Sequence, residues 1–262
     1  MSTGDPVSTE GPANADGPGR RSTLRVGILL CDHLDDEVAA RHGDYEGRYR
    51  TLLGPLGVDA VVHDLTRGEA PASTAECDAW LVSGSRRSAY DDEAFVPALT
   101  RFVADAVEAD VPVVGICFGH QVVARALGGR VERAEGWGIG VKRYHLGGGA
   151  RTGAGPPPWM EGSPESFTMV VSHRDQVVEL PDGAELLASA EYCPVAAFHV
   201  GDGVFCVQGH PEFDVALSAT LSRRRRAAIG HDVVEAGLAS LGTAPDNPLV
   251  AEWIQRFLRR RP

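Results

Sequence analysis

The chemistry this sequence could do starts at one cysteine. Cys117 lies in Val113-Val114-Gly115-Ile116-Cys117-Phe118-Gly119-His120-Gln121, an apolar β-run broken by glycine that passes directly into a helical pattern. A cysteine on such a corner sits at the carboxyl end of a strand with a helix N-terminus following, and the positive end of a helix dipole favours a thiolate. Gly115 and Gly119 permit a tight backbone and the close approach of other segments. The pattern is the cysteine counterpart of a nucleophile elbow, in which a strained strand-to-helix turn presents a reactive side chain.

An ordinary thiol, with a pKa of about 8.5, is mostly protonated at neutral pH and needs a base or a field to become a nucleophile. The candidate base is His210, in Gln208-Gly209-His210-Pro211-Glu212 at the end of the apolar run Val204-Phe205-Cys206-Val207. Glu212, two residues on, could hold the imidazole in one tautomer and stabilise it when charged, and Pro211 stiffens the segment between them. Acyl transfer also needs donors for the oxyanion of a tetrahedral intermediate. The N–H of Phe118 is placed for this at the start of the helix, with a second N–H from Gly84 or Ser85 at a neighbouring strand end.

These residues need a scaffold that brings strand ends together. Periodicity predicts buried strands over 24–31, 58–62, 78–82 and 111–116, with helices over 45–56 and 94–108 between them. Such β/α alternation implies a mostly parallel sheet with helices on both faces, whose functional groups gather at the carboxyl ends of the strands. Cys117, Ser83-Gly84-Ser85 and His210 all map there. From 128 to 207 the pattern changes to short strands over 138–146, 166–171, 184–189 and 196–199, expected to pair as a small antiparallel sheet. Gly147-Gly148-Gly149 reads as a turn, since it lacks the Lys-Ser/Thr of a phosphate loop. Two helices are expected after Glu212, over 215–239 and 249–260, the first carrying the basic run from Arg223 to Arg226 as a solvated face. Residues 1–22, polar and without periodicity, read as a disordered tail, leaving 23–262 as a single domain. Ligand choice is expected to lie in loops at 32–44, 86–93 and 147–165.

Composition narrows the function classes. A net charge of −11 argues against a nucleic-acid-binding surface. No apolar run approaches the ~20 residues of a membrane span, and the N-terminus shows no apolar signal region, so a cytoplasmic location is expected. The five cysteines, Cys31, Cys77, Cys117, Cys193 and Cys206, are scattered without metal-ligand spacing and read as free thiols. No metal or other cofactor is expected.

At Gly115-Ile116-Cys117-Phe118-Gly119-His120-Gln121 and Gln208-Gly209-His210-Pro211-Glu212 the sequence resembles the class I glutamine amidotransferase family. Ser172-His173-Arg174-Asp175-Gln176-Val177, Glu191-Tyr192-Cys193-Pro194-Val195-Ala196-Ala197-Phe198 and Gly43-Asp44-Tyr45 are similar to the glutaminase domain of GMP synthetase and its stand-alone relatives. The resemblance covers residues 24 to 215. It implies a flavodoxin-like fold and a Cys117–His210–Glu212 triad that cleaves a γ-glutamyl amide through a thioester. Gln121, Ser172 and His173 are implied to hold the γ-glutamyl group. Asp175 is a candidate for its ammonium, and Arg86 and Arg87 for an acidic group at the rim. The implied partners are glutamine or another γ-glutamyl compound, and a separate synthetase that accepts the ammonia, since no synthetase module fits in the remaining residues. The sequence departs from the family's usual Gly-Gly-Pro at Gly84-Ser85-Arg86. Two alternatives stand beside the amidotransferase: a γ-glutamyl peptidase acting on glutathione-like conjugates, and a catalytically silent regulatory partner.

Overall fold

Four short apolar runs carry the architecture: β1 (Arg25–Leu30), β3 (Ala79–Val82), β4 (Val113–Ile116) and β9 (Val204–Val207). In the computed structural model, which describes Met1, residues 23–147 and residues 156–260, every residue of β3, β4 and β9 is buried. Strands apolar on both sides need cover on both faces, which is the situation of a parallel sheet inside an α/β fold. With β2 (Asp59–Asp64) at the edge, they lie parallel in the order β2-β1-β3-β4-β9. Helices α2 (Tyr45–Leu53) and α8 (Asn247–Arg259) cover one face, through Tyr49, Leu53, Trp253 and Phe257. Helices α3 (Phe95–Glu108) and α4 (Phe118–Ala126) cover the other, through Leu99, Val103, Val122 and Val123.

The antiparallel strands are β5 (Arg130–Leu146), β6 (Ser166–Glu179), β7 (Ala184–Ala190) and β8 (Cys193–Val200). They continue the same sheet in the order β9-β8-β7-β5-β6. The junction is the β8–β9 pair, closed by a short turn through Gly201 at φ +50°, a connection that only antiparallel neighbours can make. β5 and β6 are longer than their apolar patterns suggested, because they pair with each other well beyond their buried stretches. Their ladder shifts register between Arg133 and Gly138.

Two further expectations need adjustment. The segment 32–44 is not all loop: α1 (Asp36–His42) lies within it. With Val38 as its buried residue, it has no apolar period to read. The single helix expected over 215–239 is three: α5 (Val215–Arg224), α6 (Arg226–Ile229) and α7 (His231–Ser240). Gly230 at φ +101° and ψ +145° cannot be helical and separates the last two. The tail over 1–22, Met1 apart, and Gly148 and Gly149 of the glycine turn lie outside the described residues. No helix among the described residues is long and apolar enough to cross a membrane.

The sheet reaches the site through close backbone contact. A Cβ on Gly119 would lie 2.2 Å from the Val82 carbonyl oxygen, where the first turn of α4 rests on the end of β3. A Cβ on Gly47, on the exposed side of α2, would meet no heavy atom within 4 Å. Gly119→Ala is therefore expected to lower unfolding stability by about 1–3 kcal/mol through overpacking. Gly47→Ala should raise it by about 0.4–1 kcal/mol, since alanine is the better helix former. Denaturant midpoints of the two variants check both signs.

Candidate active site

Cys117 occupies the corner between β4 and α4 at φ +54° and ψ −101°, a conformation that costs a non-glycine residue about 1–3 kcal/mol. Its surroundings hold it there. Its N–H donates to the Val207 carbonyl at the end of β9 (2.9 Å), and the Gly119 N–H donates to the Ser83 carbonyl after β3 (3.2 Å). A Cβ on Gly115 would lie 2.7 Å from the Gly119 carbonyl oxygen and 2.9 Å from Cys206 Sγ. Both elbow glycines are thus required by contact and not only by flexibility.

His210 follows β9. Its N–H donates to the Val170 carbonyl (2.8 Å), its ring stacks on Phe213 with centroids 4.0 Å apart, and Asn247 Nδ2 donates to its carbonyl (2.9 Å). Nδ1 lies 2.7 Å from Glu212 Oε1. Burial alone would push this imidazole down. The negative charges of Cys117 and Glu212, with the hydrogen bonds they offer, outweigh it and bring it up to about 10. The geometry therefore favours the protonated imidazole of His210.

Gln208 adds a contact that the sequence did not reveal. Its Nε2 donates to Cys117 Sγ (3.7 Å), while its Oε1 accepts from Gln121 Nε2 (3.2 Å), which also donates to the Asp175 carbonyl (2.7 Å). Of the two oxyanion candidates after β3, Gly84 has its N–H committed to the Tyr49 hydroxyl (2.8 Å). Ser85 follows it and lines the cleft, and Phe118 is the first residue of α4, whose N–H has no intrahelical partner.

The cleft over Cys117 has a volume of about 130 Å³ and is lined by Ser85, Gln121, Trp137, Ser172, His173, Asp175 and Arg225, among others. This is below the ~300–1,000 Å³ typical of drug-sized pockets, so it suits a single amino-acid-sized group. A larger apolar cavity of about 700 Å³ lies between Leu29, Leu65 and α3 and includes none of these residues. His173 is held down to about 4, by burial and then by the charge of His210. His120, a buried residue of α4, is pushed to about 3 by burial and then by His173. Both are neutral at pH 7 and poor bases. Asp175 accepts from Ser88 Oγ and lies 3.7 Å from Arg133 Nε.

Arg86 and Arg87 do line the cleft, but both are committed to acids of this chain. Arg86 Nε binds buried Asp32 (3.1 Å), Nη1 binds Asp35 (3.2 Å) and Nη2 donates to the His33 carbonyl (3.0 Å). Arg87 binds Asp32 (3.4 Å) and Glu93 and lies over Phe95. They brace the segment after β3. Arg133, Arg174 and Arg225 also line the cleft, the last from the basic run. Arg224 pairs with Glu37 and Arg226 with Glu235. Arg225 instead donates to Ser172 Oγ (3.3 Å) and, among the described residues, has no ion-pair partner. Its cue in the sequence was the run itself, but nothing there told which arginine turns inward. No cluster of three or more potential metal-ligating side chains occurs among the described residues.

The sequence profile of the family described as Glutamine amidotransferase class-I matches residues 49–221. Gamma-glutamyl peptidase 3 of Arabidopsis thaliana is 33% identical over 82% of this chain and 90% of that protein. A glutamine-hydrolyzing GMP synthase subunit of Methanococcus vannielii is 33% identical over 65% of this chain and 83% of that protein. A glutamine amidotransferase structure from Thermotoga maritima shares the fold, with a TM-score of 0.69 at 18% identity over 91% of this chain and all of that one. With a strained cysteine elbow at the sheet's carboxyl edge and the profile spanning most of its length, this chain belongs to the class I glutamine amidotransferase family.

Proposed function

We propose that the protein hydrolyses or transfers a γ-glutamyl amide through a thioester on Cys117, with His210 as acid and base and Glu212 as its partner. The observation that carries this is the strained elbow cysteine beside an imidazole whose Nδ1 is held 2.7 Å from a fully buried carboxylate. Cys117 attacks the δ-carbonyl, the N–H groups of Phe118 and Ser85 receive the oxyanion, and His210 protonates the departing nitrogen. His210 then deprotonates the water or amine that opens the thioester. Gln208 Nε2 supports the thiolate before attack. Gln121, Ser172 and His173 line the space for the γ-glutamyl group. A silent regulatory role would leave the backbone strain at Cys117 without a use.

The leaving group divides this activity into two readings. With glutamine it is ammonia, which a separate synthetase would consume, as the name of the Methanococcus relative suggests. A second reading, a γ-glutamyl peptidase, is favoured by Arg225. An unpaired guanidinium in the cleft suits a leaving group that carries a carboxylate. The relative matched over nine-tenths of its length is called a gamma-glutamyl peptidase.

Glutamate release from glutamine and from glutathione, measured side by side, tests the activity. Cys117→Ala should reduce both to background while the melting temperature stays close to the parent's. Parent-level release by that variant would overturn the mechanism. Glu212→Gln is expected to lower kcat by about two to four powers of ten with little change in KM; an unchanged kcat would mean that Cys117 and His210 act as a dyad. Arg225→Ala should raise KM for glutathione about tenfold or more and leave glutamine nearly unaffected. Equal losses on both substrates would place Arg225 on the α-carboxylate of the γ-glutamyl group instead.

A further inference from the structure

Helix α2 presents one face to the His210–Glu212 segment. Tyr45, Arg48 and Tyr49 stand at i, i+3 and i+4, the spacing that aligns side chains on a helix. Tyr45 stacks on Phe213, itself stacked on His210. Arg48 Nη1 donates to the Glu212 carbonyl (3.1 Å). Tyr49, fully buried, donates its hydroxyl to Glu212 Oε1 (3.0 Å) and accepts the Gly84 N–H (2.8 Å). One phenolic oxygen thus touches both halves of the proposed machinery, the carboxylate behind the base and the residue before the Ser85 oxyanion donor.

We propose that Tyr49 is a positioning residue, whose hydroxyl aims the Glu212 carboxylate at His210 and ties it to the strand end that supplies the oxyanion donor. Four observations support this. Glu212 Oε1 is the oxygen that faces His210, while Oε2 is buried with no partner among the described residues. The Tyr49 hydroxyl is therefore the second anchor on the oxygen that matters. The Tyr49 ring sits in the main apolar cluster, where a phenylalanine would fill the same space; a hydroxyl buried there needs partners, and both it has belong to the site. Burial and the nearby Glu212 push the phenol well above its ordinary range, so it remains a donor at any working pH. The distance from a Cβ on Gly84 to His210 Cε1 would be 3.0 Å, so a shift of the Gly84 backbone would reach the imidazole directly.

The inference rests on the Cys117–His210–Glu212 reading, and the test separates the two. Tyr49→Phe removes one oxygen and keeps the ring, and its melting temperature confirms the fold. We expect kcat to fall about ten- to a hundredfold, the worth of one hydrogen bond to a charged group, with KM within about twofold. In a Glu212→Gln background, where there is no carboxylate to aim, the same substitution should cost less than about threefold. NMR titration of the His210 ring, which needs no substrate, should show a midpoint well above the ordinary 6.5 in the parent and a lower one in Tyr49→Phe. A raised parent midpoint that Tyr49→Phe leaves in place, a parent-like kcat, or equal losses in both backgrounds would each overturn the role of Tyr49. A parent His210 that titrates at or below its ordinary value would instead overturn the triad reading beneath it.

Discussion

A cysteine at φ +54° stays there only when its neighbours leave it no lower-energy alternative, and the sheet supplies those neighbours. β4 lies between β3 and β9. The turn that follows it is pinned to both: Cys117 N–H to the end of β9, Gly119 N–H and Cα to the end of β3. The same adjacency decides what else surrounds the sulfur. Residues after β9 bring the His210 imidazole, and residues after β3 bring Ser85, the proposed oxyanion donor. Strand order and the elbow are one constraint seen at two scales, and each other feature of the site refines it.

Charge is arranged around that constraint. The chain carries a net charge of −11, yet arginines crowd the cleft. Most are committed. Arg86 and Arg87 neutralise Asp32, which is almost fully buried at the end of β1 and also accepts the Arg86 N–H (2.8 Å), so the pair sets the backbone that leads away from Ser85. A buried carboxylate without such partners would cost several kcal/mol. Arg174 and Arg225 are the exceptions: among the described residues neither has an ion-pair partner, Arg174 being held by the Ala134 and Glu135 carbonyls and Arg225 by the Ser172 hydroxyl.

Much of this was legible in the sequence, for a physical reason. Continuous apolar strands and glycines at a strand-to-helix corner are local signals, so the parallel half and the positions of Cys117, His210 and Glu212 could be read directly. What escaped depends on side-chain direction or on long-range pairing. The partners of Tyr49, Glu212 and Gly84, are remote in the chain, and only the folded helix places its hydroxyl between them. Arg86 and Arg87 looked free because Asp32 and Asp35 are far from them in sequence. Gly84 looked as suitable an oxyanion donor as Ser85 until its N–H was seen to be spent on Tyr49. The lengths of β5 and β6 come from each other's hydrogen bonds and not from an apolar alternation.

The two halves of the sheet divide the work. The parallel half carries Cys117, His210, Phe118 and Ser85, the residues of the proposed machinery, with Cys117 and His210 fixed by backbone contacts. The cleft wall opposite comes from the antiparallel half and what packs on it: Ser172, His173 and Asp175 on β6, Trp137 next to the register shift in β5, and Arg225 at the end of α5. A register shift of this kind bends its strand and re-aims the side chains beside it. Under the proposed activity, substitutions in that wall are expected to change which leaving group is accepted while the elbow and its partners stay in place.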